Sequence, residues 1–205
     1  ARLNGQKIGT FGEIATYSFF PGKNLGAFGD AGAINTNSET LADLCRKLAD
    51  GGRTNKYEHE ILGWNSRLDT LHASVLDAKL QLLDEWNVER TNIANIYDDR
   101  LKNIEQITLP IKLDNTIPVY HIYPVLVENR ERFINYMNEK GVSTGIHYPI
   151  PLHLQNAFSY LGHKMGDFPN SEEICFNEVS LPIFPYMDHD DAHYVCDVIE
   201  SYFKN

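Results

Sequence analysis

The sequence predicts an α/β protein built as two lobes, on three observations. A segment of strand character runs into a glycine-dense loop between Ile14 and Gly32, a long amphipathic stripe occupies the middle, and strand-like and helix-like segments alternate beyond Asn103. The composition agrees: of 205 residues, 42% are hydrophobic and 22% charged, the balance of a chain that closes a core rather than of a disordered one.

Ile14 to Phe20 is β-branched, aromatic or small, which suits a buried strand; Pro21-Gly22 ends it, and Gly22, Gly26, Gly29 and Gly32 crowd the loop that follows. Ala33 to Thr36 fits a short return strand. Thr36 and Glu39 then have capping-box spacing ahead of a helix with Leu41, Leu44, Cys45 and Leu48 on one face, stopped by Gly51-Gly52. A polar loop covers Arg53 to Ser66. From Leu68 to Leu101 the apolar positions Leu71, Val75, Ala78, Leu82, Trp86, Ile93 and Tyr97 form the stripe of one long helix, the natural joint between lobes. In the second lobe, 107–113, 119–127 and 142–146 read as strands. Helices are expected over 130–140, closed by Gly141, and near 152–161, 171–179 and 188–203. The expected lobes are therefore residues 1–103 and 104–205.

Charge narrows the function. With 18 Lys+Arg against 28 Asp+Glu the net charge is −10, and no basic run exists to displace counterions from nucleic acid or to meet anionic lipid, so neither is an expected partner. Cys45, Cys175 and Cys196 are odd in number, far apart and set among apolar residues, which argues for reduced thiols in a cytoplasmic protein rather than a disulfide or zinc framework. No run reaches the roughly 18 apolar residues of a membrane span. The opening Ala1-Arg2-Leu3-Asn4-Gly5 is neither a signal peptide nor a natural start, and the chain is expected to be part of a longer one.

The chemistry concentrates in Ser18-Phe19-Phe20-Pro21-Gly22-Lys23-Asn24-Leu25-Gly26-Ala27-Phe28-Gly29-Asp30-Ala31-Gly32. A lysine just past a strand end can reach a cavity where desolvation favours the free amine, the form that attacks a carbonyl. Ser18 lies near the same strand end, where its hydroxyl and nearby backbone N–H groups could hold a phosphate, and glycines allow close backbone approach. For Pro-Gly-Lys alone, a tight hairpin with a solvated lysine is the better explanation. A P-loop is excluded, because Tyr17 stands where that motif needs its first glycine.

Read together with Gly63-Trp64-Asn65-Ser66-Arg67-Leu68-Asp69, His147-Tyr148-Pro149-Ile150-Pro151-Leu152-His153-Leu154-Gln155 and Ser180-Leu181-Pro182-Ile183-Phe184-Pro185, in this order and spacing, the segment closely resembles the nucleotide-sugar aminotransferases of the DegT/DnrJ/EryC1/StrS family. Those are pyridoxal-phosphate enzymes of the aspartate-aminotransferase fold, and the resemblance runs from about Gly12 to the C-terminus. It implies the C-terminal part of the large lobe plus a small α/β lobe. The upstream half, with the aspartate, stacking ring and phosphate turn that complete the cofactor site, has no counterpart here; about 150 to 170 residues are expected to be missing, from the absent half of a doubly wound lobe.

The resemblance also assigns roles. Lys23 matches the lysine that joins the pyridoxal 5'-phosphate aldehyde covalently; relatives with histidine there deoxygenate instead. Ser18 matches a phosphate ligand. Asn65 matches a residue that reaches the phosphate from a neighbouring subunit, which implies a homodimer with shared active sites. Tyr57, His147, Tyr148 and His153 are candidate substrate contacts, with loop solvation and lobe packing as the plain alternatives. The implied activity is amino transfer from L-glutamate to a nucleotide-linked keto-sugar, and the His-Tyr-Pro segment looks more like members acting at C3 of a dTDP- or UDP-3-keto sugar than at C4. The alternative is a non-catalytic sensor or binding subunit of the same fold. A metal site of His147, His153, His163 and Asp167 is not expected, since their spacing fits no standard ligand pattern.

Overall fold

The computed structural model describes residues 1–204. In chain order its elements are β1 (Arg2–Leu3), β2 (Gln6–Lys7), β3 (Ile14–Ser18), β4 (Gly32–Thr36), α1 (Glu39–Ala49), α2 (Thr70–Leu80), α3 (Leu83–Leu101), β5 (Ile107–Thr108), β6 (Thr116–Ile117), β7 (Tyr123–Val127), α4 (Arg130–Glu139), α5 (Pro169–Asn177), β8 (Glu178–Leu181) and α6 (His189–Lys204). Short 3-10 helices cover Leu152–Leu154 and Asn156–Leu161. The chain forms two compact units. One comprises residues 1–85 and 113–118, the other residues 86–112 and 119 onward.

In the first unit β3 and β4 pair antiparallel, Ile14 opposite Thr36 and Ser18 opposite Gly32. The strand is where the sequence puts it, but it is not buried: Ile14 is 45% and Phe20 55% exposed. A small antiparallel sheet of order β2-β1-β6 completes the strands of this unit, a feature too short to carry a hydrophobic pattern. Helix α1 is capped by Ser38, whose Oγ accepts from the Leu41 N–H, and not by the expected Thr36–Glu39 box. The Thr36 hydroxyl is committed to the Glu13 carbonyl across the hairpin, so tertiary pairing outcompetes the local motif.

The expected helix over 68–101 is two helices. It breaks at Gln81–Leu82, and Asp69 caps α2 by accepting from the His72 N–H at 2.8 Å. Leu71 and Leu82, read as stripe positions, are exposed. Hydrophobic spacing continues across such a turn and cannot reveal it.

The second unit holds a larger buried core. Its sheet runs β5-β7-β8, all antiparallel, with Tyr123 opposite Leu181 and Ile107 opposite Val127. Tyr123, Val125 and Val127 alternate inward from β7. Against them pack Ile93, Ala94, Tyr97 and Leu101 of α3, Phe133 and Met137 of α4, and Ala192, Val195, Cys196 and Ile199 of α6, each set at helical spacing. Full burial of a side chain such as Phe133 contributes about 1.5–3 kcal/mol. The buried Arg90 guanidinium donates to the carbonyls of Tyr120, His121 and Ile183, and the Tyr97 hydroxyl to that of Pro182 at 2.6 Å. These ties fasten the segments just before β7 and just after β8 to α3.

Other expectations for this part shift locally. The strand expected over 107–113 keeps only two residues, and 142–146 contributes only a bridge from Gly145 to Ser180. The helix expected near 171–179 ends at Asn177, and Glu178 to Leu181 form β8, completely buried. Apolar spacing reads helix there because the strand is covered on both faces.

Candidate active site

The first unit builds the lysine turn from backbone constraints. Past β3 the Phe19 amide donates to the Ala31 carbonyl and the Ala27 amide to the Phe19 carbonyl, both at 2.8 Å, so the ladder continues while 20–26 loops out. The Lys23 amide closes a turn onto the Phe20 carbonyl at 2.8 Å. Lys23 itself is half-buried. Gly26 is required by space, since a Cβ there would lie 2.3 Å from the Pro21 carbonyl oxygen. Ser18 ends the strand, and its Oγ accepts from the Phe20 N–H at 3.3 Å, which leaves the hydroxyl proton for another acceptor.

Helix α2 steadies this loop, a role not evident in the sequence. The Lys79 ammonium donates to the Gly26 carbonyl at 2.7 Å and lies over the Phe28 ring. His72, paired with Asp69 at 3.0 Å, packs so closely on Gly29 that a Cβ there would be 3.0 Å from its ring. A contact between residues so far apart in sequence leaves no local signal.

Asn65 lies on a different loop of the same unit. The Trp64 and Ser66 amides donate to the Leu48 and Ala49 carbonyls, laying 63–66 along the end of α1. The Asn65 Oδ1 accepts from Arg67 Nε at 3.2 Å, and Arg53 and Arg67 both pair with Asp50. The Arg53 hydrogen bond chiefly holds the Asp50 carboxyl below its ordinary range, against the opposing effect of burial. Tyr57 is 80% exposed at the tip of the preceding loop. The structure thus brings Ser18 and Lys23 to one strand end and sets Asn65 and Tyr57 on neighbouring stretches of a separate loop.

In the second unit, His147 and Tyr148 are exposed, with their rings 5.5 Å apart. The His147 ring reaches Ser180 Oγ through Nδ1 at 2.8 Å, and its backbone N–H donates to Glu178 Oε2 at 2.6 Å. His153 is turned inward: its Nε2 is 2.9 Å from Glu172 Oε1, with both side chains almost fully buried, and the ring packs on Phe168. Glu172 also accepts from the amides of Gly166 and Phe168. His163 pairs separately with Asp167 at 3.4 Å. Among the described residues no three His, Cys, Asp or Glu side chains are arranged to hold a metal. Burial pushes the Cys196 thiol up to about 12, which keeps it inert.

The donor set fits a phosphorylated aldehyde cofactor. A primary amine and a hydroxyl with a proton to give flank one glycine turn, and the turn has no room for added side chains at Gly26.

Comparison with known proteins places the chain among aminotransferases. S. venezuelae DesV, solved in complex with a ketimine intermediate, superposes with a TM-score of 0.95 at 38% identity, over 100% of this chain and 55% of that one. The dTDP-3-amino-3,6-dideoxy-alpha-D-galactopyranose transaminase of Aneurinibacillus thermoaerophilus is 43% identical over 98% of this chain and 55% of its own length. The erythromycin biosynthesis sensory transduction protein EryC1 of Saccharopolyspora erythraea is 40% identical over 98% and 55%. The chain belongs to the DegT/DnrJ/EryC1/StrS aminotransferase family, whose sequence profile matches residues 1–200. It spans about half the length of the curated relatives it matches.

Proposed function

We propose that the protein of which this chain is part transfers an amino group from L-glutamate to a nucleotide-linked keto-sugar, at C3 of a dTDP- or UDP-3-keto sugar, with pyridoxal 5'-phosphate as cofactor. The observation that carries this reading is Lys23, half-buried in the glycine turn that follows the strand ending at Ser18. When bound, the cofactor supplies an aldehyde for covalent attachment and a ring that takes up the electron pair left by proton removal. Lys23 Nζ would hold it through that aldehyde. The Lys23 amine would take the proton from the donor α-carbon and, in the second half-reaction, give one to the sugar carbon that comes to bear the amino group. Ser18 donates its hydroxyl proton to the phosphate.

Asn65 is proposed to reach the phosphate of a second copy, so the working form is a homodimer in the cytoplasm, where free cysteines such as Cys45, Cys175 and Cys196 stay reduced. Tyr57, His147 and Tyr148 are proposed to face the sugar nucleotide. His153, tied to Glu172, would act there only by shaping the loop. The similarity to EryC1, a sensory transduction protein by name, favours a second reading, a sensory or binding subunit without turnover. Position 23 separates the two readings, because a subunit without turnover has no need of an amine there.

The test uses full-length protein with pyridoxal phosphate, glutamate and a panel of dTDP- and UDP-keto-sugars. A borohydride-sensitive imine band and amination at C3 are expected, with Lys23→Ala losing the band and at least about 10²-fold in turnover. An unchanged band in Lys23→Ala overturns the lysine's role, amination confined to C4 overturns the regiochemistry, and a band without turnover favours the sensor.

A further inference from the structure

We infer that Glu178 and Ser180 act as positioning residues that lock His147 in its Nδ1–H tautomer, so that Nε2 is presented as a hydrogen-bond acceptor for a hydroxyl of the bound sugar. This rests on the proposal that His147 faces that ligand. Residues two apart in a strand share a face, and in β8 Glu178 and Ser180 are 1% and 5% exposed. Each oxygen of the Glu178 carboxyl group accepts from one neighbour. The His147 amide donates to Oε2, at 2.6 Å, and the Ser180 hydroxyl to Oε1. That spends the only proton of Ser180. Toward His147 it can offer only a lone pair, so the nitrogen 2.8 Å away, Nδ1, carries the hydrogen.

The loop is held for this purpose. Gly145 and Ser180 exchange two backbone hydrogen bonds at 3.0 and 2.9 Å, and a Cβ on Gly145 would come within 3.0 Å of His147 Cε1. The imidazole therefore sits on the edge of β8 with Nδ1 engaged inward, while the residue as a whole is exposed. In the Nδ1–H tautomer only Nε2 is left, and it takes a donor. Sugar hydroxyls donate; the oxygens of a diphosphate only accept. The buried Glu178 thus selects the sugar over the nucleotide phosphates as the group His147 touches.

The test is ¹⁵N-histidine NMR on the full-length protein with steady-state kinetics beside it. Wild type should show His147 as Nδ1–H. In the near-isosteric Glu178→Gln the new amide donates to Ser180 Oγ, the hydroxyl turns to Nδ1, and the proton moves to Nε2. KM for the keto-sugar should then rise, by up to about tenfold for one lost hydrogen bond, with kcat changing far less. Should that variant misfold, Ser180→Ala should give mixed tautomers and Ser180→Thr should restore the wild-type signal. Wild-type His147 as Nε2–H or as imidazolium near neutral pH, or a tautomer unmoved by both variants, overturns the relay. Inversion with unchanged KM overturns the sugar contact. Failure of the proposed activity is seen separately, as wild-type protein that turns over no keto-sugar, and does not affect the tautomer measurement.

Discussion

At the scale of single residues, the lysine turn is defined as much by what is missing as by what is present. Only a glycine at 26 lets the backbone pass so close to the Pro21 carbonyl. Gly26→Ala would press a methyl group against backbone, which cannot move aside as a flexible side chain can. It is expected to cost about 1–3 kcal/mol in denaturant unfolding and to weaken cofactor binding to the full-length protein; a variant as stable as wild type would show that the turn has slack. Lys23, Ser18 and Asn65 can be proposed from the sequence because their motifs are local. Lys79, Glu178 and Glu172 are not, since each acts on a partner brought near only by folding.

At the scale of elements, the segment from Gly162 to Phe168 is tied to α5 by one carboxylate. Burial pushes the Glu172 carboxyl up, but the Gly166 amide, the His153 ring and the Phe168 amide together outweigh it and hold it below the ordinary value of 4.5. A group depressed in the folded state contributes stability that is complete above its unfolded value and is lost as pH falls through the folded one. The loop should therefore loosen on acidification below about pH 4.5, seen as faster proteolysis or amide exchange at 162–168, while Glu172→Gln should be loose at neutral pH already. Equal protection at all pH values would mean that the packing of Phe168 on His153 suffices. The split between α2 and α3 belongs to this scale too: the apolar stripe is visible in the sequence, whereas the turn at Gln81–Leu82 leaves no mark on its spacing.

At the scale of the whole molecule, the two units differ in how they are stabilised. The buried cluster from Ile93 to Ile199 lies in the second unit, while β3 and β4 of the first are exposed. In the 205-residue chain by itself, amide exchange should accordingly be slowest in β7, β8 and α6 and fast in β3 and β4, and Tyr97→Phe, which frees the Pro182 carbonyl, should lower the stability of the second unit by about 1 kcal/mol. Comparable protection in the hairpin would contradict this ranking. No described helix is long and apolar enough to cross a membrane.

The sequence by itself determined the family, the lysine turn and most helices, because periodicity, capping chemistry and contiguous motifs are properties of neighbours along the chain. It did not determine that Ser38 caps α1, that 178–181 is a strand, or that His153 faces a carboxylate. Those outcomes depend on which distant groups compete for the same hydrogen bonds and on which faces become covered. Only the tertiary structure decides them, since burial and pairing across long separations have no counterpart in local composition.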